Sequence, residues 1–261
     1  MIKADLHNHL GRNGKNPGFD ETIDLVHKKM GDNSAFGICN CTSVDYRYED
    51  FTNQKGKYER VWLDYEKRIL FVPEKKIYIV GAEEVITSQG HLVVSGMPSN
   101  KKIQKSDKTL SLEDALKSAN EFNGIKIAVH PFGWSGAGNY ISNNRRLLYS
   151  FDGWEIYNAS AELSIPGFLP SGANGKSEIF YNFDIKSQFD IGACAFTDGH
   201  SVNVVGKSYT NLYLETVSLD SLRKAIKKNK SSYNLHMESN KKDAFVHACK
   251  MFAHKYLYTG D

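Results

Sequence analysis

The sequence predicts one α/β domain whose strands end on a common side, as in a parallel barrel or an open sheet flanked by helices. Three observations carry that expectation. Short apolar runs alternate with amphipathic stretches along the whole chain, which is the pattern of strands joined by helices. No repeat, low-complexity tract or Pro/Ser-rich linker marks a boundary, and 261 residues with 41% hydrophobic content suffice for one large core. Histidines and carboxylates gather just past the ends of the expected strands instead of being scattered.

Taken in order, "MIKADL" reads as a first strand and "FDETIDLVHKKM" as a helix with Ile23, Val26 and Met30 on one face. "SAFGICNC" follows as a strand, "YERVWLDYEKRILFV" as a helix, and "KIYIVGAEEV" and "GHLVVSGM" as neighbouring strands. In "SLEDALKSANEFNG" Ser111 is a natural N-cap, with Asp114 at the third helical position and Gly124 as the stop. "IKIAVHPF" and "FDGWEIYN" read as strands, "SEIFYNFDIKSQF" as a helix, and "IGACAFTDGH" as a strand running into a loop. "SLDSLRKAIKKNK" is a late helix, and "KKDAFVHACKMFAHKYLY" makes 240–261 a helical extension with an apolar stripe.

Charge narrows the function. The 33 basic residues nearly balance the 30 acidic ones, and the net charge of +3 is spread along the chain, which argues against a nucleic-acid coat or a membrane-surface protein. No run approaches the roughly 20 apolar residues of a membrane span, and "MIKADLHNHL" lacks the apolar core of a signal peptide, so a cytoplasmic location is expected. Cys39, Cys41, Cys194 and Cys249 show no zinc-finger spacing and are expected as reduced thiols.

His7 and His9 end the first strand, Cys41 the second and Glu83 the third, while His91 begins the next. His130 ends another, Glu155 lies in "GWEIY", and Asp198 and His200 follow "GACAF". In a parallel α/β sheet the carboxyl ends of the strands share one side, so these distant positions converge. Alternate strand residues point the same way, and His7 and His9 can therefore present both imidazoles to one ion. Imidazole with carboxylate suits zinc, manganese or iron, and a pair of ions about 3.5–4 Å apart would hold a hydroxide nucleophile at neutral pH. Each residue also has a plainer reading: His130 before Pro131, and "TDGH" at 197–200, fit turns for local reasons.

Together these residues resemble the polymerase and histidinol phosphatase (PHP) family of metal-dependent phosphoesterases. "DLHNH" at 5–9, "GAEEV" at 81–85 with "HLVVSG" at 91–96, "AVHPF" at 128–132 and "FTDGHS" at 196–201 match its motifs in order. The resemblance implies a distorted seven-stranded (β/α) barrel carrying two or three divalent ions at its carboxyl end. It implies that His7, His9, Glu83 and Asp198 hold one ion and that Glu83, His91 and His130 hold a second. Glu83 is then the bridge, Glu84 its neighbour, and Asp5 orients a ligand histidine. The third ion is where the chain departs from the family: "RNGKN" and "CNC" stand at the matching stretches, with Asn13, Asn40 and Cys41 where other donors are expected, and only His200 remains. Either Cys41 as a thiolate joins His200 on a third ion, or the centre is dinuclear and His200 is free for proton transfer; the dinuclear reading is preferred.

The chemistry expected is hydrolysis of a phosphate ester by a metal-bridging hydroxide, with His200 as general acid and Asp198 at the reacting centre. Arg12, Arg145, Arg146 and Lys176 are candidates for gripping phosphate, and Trp134, in a glycine-rich loop, for stacking on the substrate. A small phosphomonoester is the expected substrate. The alternatives are a phosphodiesterase or exonuclease on short single-stranded nucleic acid and a non-catalytic metal-binding module; the sequence leaves the oligomeric state open.

Overall fold

Residues 1–10, 17–41, 47–106, 108–161 and 172–238 are described by a computed structural model of the chain. The expected helical extension at 240–261 and Arg12 lie outside the described residues. Along the chain come β1 (Ile2–Asp5), α1 (Phe19–Met30), β2 (Ser34–Asn40), α2 (Arg47–Asn53), β3 (Val61–Trp62), β4 (Ile69–Val72), β5 (Ile77–Thr87) and β6 (Gly90–Ser95). They are followed by α3 (Leu112–Glu121), β7 (Ile125–Ala128), α4 (Gly138–Asn143), β8 (Gly153–Asn158), α5 (Ala173–Phe180), β9 (Gly192–Phe196), β10 (Ser208–Leu212), α6 (Leu219–Lys228) and β11 (Leu235–Met237). The strands run in the order β11-β10-β1-β2-β5-β6-β7-β8-β9, and the sheet curls into a nearly closed barrel. That path holds nine strands where the resemblance implies seven; β10 and β11 extend one end of it, and β3 and β4 form a side branch on β5.

Strands β1, β2 and β5 are parallel, as are β7, β8 and β9. The all-parallel expectation fails at β6, which is antiparallel to both β5 and β7, and at β10, which is antiparallel to β1. The cause at β6 is the length of the connection: only Ser88 and Gln89 separate β5 from β6, too short for a crossover. Gly90 closes this hairpin at φ +134°, and a Cβ there would lie 2.4 Å from the Ala137 nitrogen, so both the turn and the packing demand glycine.

The helix expected over 58–72 is instead the β3–β4 hairpin. Its turn is held by the Asp64 carboxylate, which accepts from the Arg68 backbone N–H at 3.2 Å, and by Lys67 in the left-handed region. The following apolar run then pairs with β5 and buries Ile69, Leu70 and Val72. Elsewhere the helical pattern holds: Ile23, Val26 and Met30 of α1 are buried, and Ser111 caps α3 by accepting from the Asp114 N–H at 3.1 Å. Helix α5 begins four residues before the expected Ser177 and runs into a π-helical turn at Tyr181–Ile185.

Small and branched side chains fill the barrel, among them Ala4, Leu6, Ala35, Cys39, Val80, Ala82, Val93, Ile127, Cys194 and Phe196. The seam between β9 and the β1–β10 pair is closed largely by side chains. The Thr210 hydroxyl accepts from the Ala195 N–H at 2.9 Å and donates to the Ala195 carbonyl at 3.2 Å, and the Thr197 hydroxyl makes the same double contact with Ser208 at 3.1 Å. Asp5 accepts from the Thr197 N–H at 3.0 Å. Thr210→Val keeps the shape of the side chain but leaves the buried Ala195 N–H without a partner. Denaturant unfolding is expected to show a loss of about 1–3 kcal/mol; unchanged stability would mean that the seam closes without this hydroxyl.

Candidate metal centre

The chain leaves β1 along the barrel's rim, and Asn8 decides where it points. Its side-chain amide donates to the Asp5 carbonyl at 3.2 Å and its oxygen accepts from the Gly199 N–H at 3.2 Å. The backbone adds His9 N–H to Gly199 carbonyl at 2.7 Å and Asp198 N–H to His7 carbonyl at 2.8 Å. With Asn8 turned into the seam, His7 and His9 on either side of it both enter the barrel mouth, fully buried. Their rings meet edge to face with centroids 5.2 Å apart.

On β5 the residue that meets them is Glu84, not Glu83. Val80 and Ala82 face the barrel interior, so the two-residue period of the strand puts Glu84 inside and Glu83 outside. The Glu83 carboxylate accepts from the backbone N–H groups of Ile103 and Gln104 at 2.7 and 2.8 Å, and burial pushes its carboxyl pKa up. Glu84, and not the expected Glu83, therefore stands among the histidines. Burial alone would raise the Glu84 pKa too, but the imidazoles of His91, His9, His130 and His7 outweigh it and hold the carboxyl well below its ordinary range.

Because β6 runs antiparallel to β5, its first residues lie at the same rim as the last residues of β5. His91 stands opposite Ile86, and its Nδ1 lies 2.8 Å from Glu84 Oε1, a hydrogen-bond distance. His130 follows β7 and Asp198 follows β9, both at positive φ (30° and 53°), a conformation that His and Asp adopt more readily than most residues. His130 donates its backbone N–H to Glu155, and its Nε2 lies 3.2 Å from Glu84 Oε1. Asn158, at the end of β8, donates to Glu155 at 3.0 Å and to Asp198 at 3.4 Å. His200 Nδ1 lies 2.9 Å from the Asp198 carbonyl, and its ring packs 4.9 Å from that of His9. Asp5 bonds Thr197 rather than a ligand imidazole, and burial raises its pKa to about 7.

The donor spacing is what a cation needs. Among the described residues, three sets have ligand atoms within 4.8 Å of one another: His7, Glu84 and His130; His7, His9 and Asp198; and His9, Cys41 and Glu84. His7 Nε2 lies 3.6 Å from Glu84 Oε1 and 3.5 Å from Asp198 Oδ1, and His9 Nε2 lies 3.2 Å from Glu84 Oε2 and 3.8 Å from Asp198 Oδ1. Most of these separations exceed a good hydrogen bond, whereas donors about 2.0–2.3 Å from a tetrahedral ion sit roughly 3.3–3.8 Å apart. Both nitrogens of His7 and of His9 are buried without a hydrogen-bond partner, an arrangement that costs free energy unless an ion takes them. The residues therefore fit divalent ions.

Asn40 turns away from this cluster: its side chain accepts from the Tyr48 N–H at 3.2 Å at the start of α2. Of the substrate candidates, Arg145 is exposed and its guanidinium is taken up by Asp184, so it does not stand ready for phosphate. Lys176 is exposed in the first turn of α5. Trp134 is 58% exposed in the loop whose Ser135 carbonyl accepts from the His91 N–H at 2.9 Å, which puts this aromatic beside the centre's rim. Sequence reasoning missed Asn8 and Asn158, amides whose partners are distant in the chain, and gave Glu84 only a neighbour's part.

Comparison with models of protein families and with curated proteins finds no match. Several solved structures share the fold, and three illustrate the range. PsfC from Pseudomonas syringae PB-5123 matches with a TM-score of 0.62 at 12% identity over 98% of this chain and 99% of its own. The lesion-specific endonuclease PfuEndoQ from Pyrococcus furiosus matches with a TM-score of 0.57 at 15% identity over 87% of this chain and 56% of its own. A two-domain protein from Bacteroides vulgatus ATCC 8482, containing a predicted PHP-like metal-dependent phosphoesterase, matches with a TM-score of 0.55 at 15% identity, covering 88% of this chain and 63% of its own. The chain thus spans less than two thirds of the length of these last two proteins. Its fold is that of the PHP-like metal-dependent phosphoesterases.

Proposed function

We propose that this chain is a metal-dependent phosphoesterase that hydrolyses a small phosphomonoester. The observation that carries the reading is the placement of Glu84, whose two carboxylate oxygens address different histidines at donor spacing. His7, His9 and Asp198 would hold one divalent ion, and Glu84 and His130 a second, the single Nε2 of His7 serving one of the two. Zinc, manganese or iron in these positions would acidify a water and neutralise charge on the phosphoryl oxygens.

The chain's own residues orient and exchange protons. Glu155 Oε1 lies 3.7 Å from His7 Nδ1, and its other oxygen takes the His130 N–H, so this buried carboxylate fixes two donors at once. His91 holds Glu84 in place through its 2.8 Å contact. His200 keeps 12% of its side chain exposed at the mouth, and its bond to the Asp198 carbonyl fixes the ring. In the imidazolium form its Nε2 can give a proton to the leaving alkoxide.

A small substrate suits a chain without a basic stripe, whose Arg145 is already paired. The likeness to an endonuclease favours a second reading, a phosphodiester substrate.

With manganese or zinc bound, the protein is expected to turn over p-nitrophenyl phosphate well ahead of bis(p-nitrophenyl) phosphate. The opposite preference would put the diesterase first, and turnover of neither by metal-loaded protein would leave a metal-binding module. Glu84→Gln is expected to lower both metal content and kcat/KM by about 100-fold or more, whereas Glu83→Gln keeps its metal. The reverse pattern in elemental analysis would restore Glu83 as the bridge. His200→Ala is expected to lose about 100-fold in kcat with metal content unchanged; loss of metal in proportion to activity would make His200 a ligand instead.

A further inference from the structure

We propose that Cys41 is a thiolate ligand of the ion at His9, together with Glu84, which makes part of this centre selective for thiophilic metals. The inference rests on the metal-centre reading above. Cys41 follows β2 directly and is 2% exposed. Its Sγ lies 3.3 Å from Glu84 Oε2, and His9 Nε2 lies 3.2 Å from the same oxygen. The three donor atoms all fall within 4.8 Å of one another. Both His9 nitrogens are buried and make no hydrogen bond, so an unsatisfied imidazole shares this group with the sulfur.

Glu84 divides its oxygens between two addresses. Oε1 faces His7, His91 and His130, and Oε2 faces His9 and Cys41. A carboxylate with different donors at each oxygen bridges two ions rather than crowding one. Asn40 anchors the chain immediately before Cys41 by capping α2, so the sulfur is held and not swung in from a loose loop. Cys41 shares its donor group with His9 and Glu84, and His200, the partner expected from the sequence, packs against His9 and bonds the Asp198 carbonyl.

Binding transfers the thiol proton to solvent as the sulfur–metal bond forms, so charge and atoms balance without a redox partner. A sulfur donor favours zinc, iron or cobalt over magnesium and calcium. Cys39, two residues earlier, points its sulfur at the Leu6 carbonyl 3.8 Å away within the apolar interior and belongs to none of the donor groups.

Cobalt(II) reports the donor directly, without any assay of activity. The wild-type protein loaded with cobalt is expected to show visible ligand-field bands and a near-ultraviolet sulfur-to-metal charge-transfer band. Cys41→Ser is expected to lose the charge-transfer band and about one ion per chain while keeping ligand-field bands and a native circular dichroism spectrum, and Cys39→Ala is expected to keep everything. Ligand-field bands with no charge-transfer band, or a band that survives Cys41→Ser, would overturn the thiolate ligand and leave the metal centre standing. Failure of the wild-type protein to bind cobalt would overturn the metal centre and the thiolate with it. If Cys41→Ser does not fold, Cys41→Ala read in the same way decides: loss of the charge-transfer band supports the ligand, and its survival overturns it.

Discussion

The structure turns on one buried carboxylate. Glu84 is 3% exposed and stands among four imidazoles and a thiol, and an ionised carboxylate so placed is tolerable only when positive charge surrounds it. Asp198 and Glu155 add two further buried acids within 4 Å of His7. Imidazoles that keep their protons can meet that demand: burial opposes charge on His7, yet Asp198, Glu155 and Glu84 together hold its pKa well above the ordinary histidine value. A divalent ion can meet it through the same nitrogens once the protons leave. Protons and a divalent ion are thus two answers to the same buried negative charge.

That arrangement depends on how the barrel closes. The donors come from the ends of β1, β2, β5, β7 and β9 and from the beginning of β6, and no one of these elements supplies a complete donor set. The antiparallel turn into β6 delivers His91 to the rim where the other strands end, and the left-handed turns at His130 and Asp198 re-aim the chain just past β7 and β9. At the seam, ordinary ladder bonds give way to the hydroxyls of Thr197 and Thr210, the Asp5 carboxylate and the Asn8 amide. The seam thereby places His7 against Asp198, and closure of the barrel and assembly of the centre are one event.

Much of this was legible in the sequence, for a physical reason. Strand ends in α/β folds share a side, and a histidine or carboxylate one or two residues past an apolar run is rare enough to mark the rim, so His7, His9, His130, Asp198 and His200 could be placed without coordinates. Between Glu83 and Glu84 the resemblance points to the first, whereas strand parity points to the second. Val80 and Ala82 are small and apolar, as barrel-facing residues are, and counting on from them by twos reaches Glu84. The 58–72 segment misled because a short apolar run such as "ILFV" suits a helix face and a buried strand equally, and the turn at Asp64–Arg68 decides between them. Asn8 and Asn158 were invisible because an amide gains its role from partners that only the closed barrel brings near.

The unmade bonds of His7 and His9 carry the argument one step further. Four buried ring nitrogens without partners cost on the order of 1–3 kcal/mol each when nothing binds them, a large fraction of the stability of a typical domain. Replacing one of these histidines by an apolar residue would remove its part of that cost, yet His7 and His9 sit where five elements of the barrel meet. Residues this expensive in the wrong state are justified physically by the state in which they are satisfied, and the donor spacing fits a state with ions bound. Because an ion bound only by the closed barrel adds its binding free energy to folding, the centre that would perform the chemistry also draws the rim together. Closure of the β1–β9 seam would then rise and fall with metal occupancy.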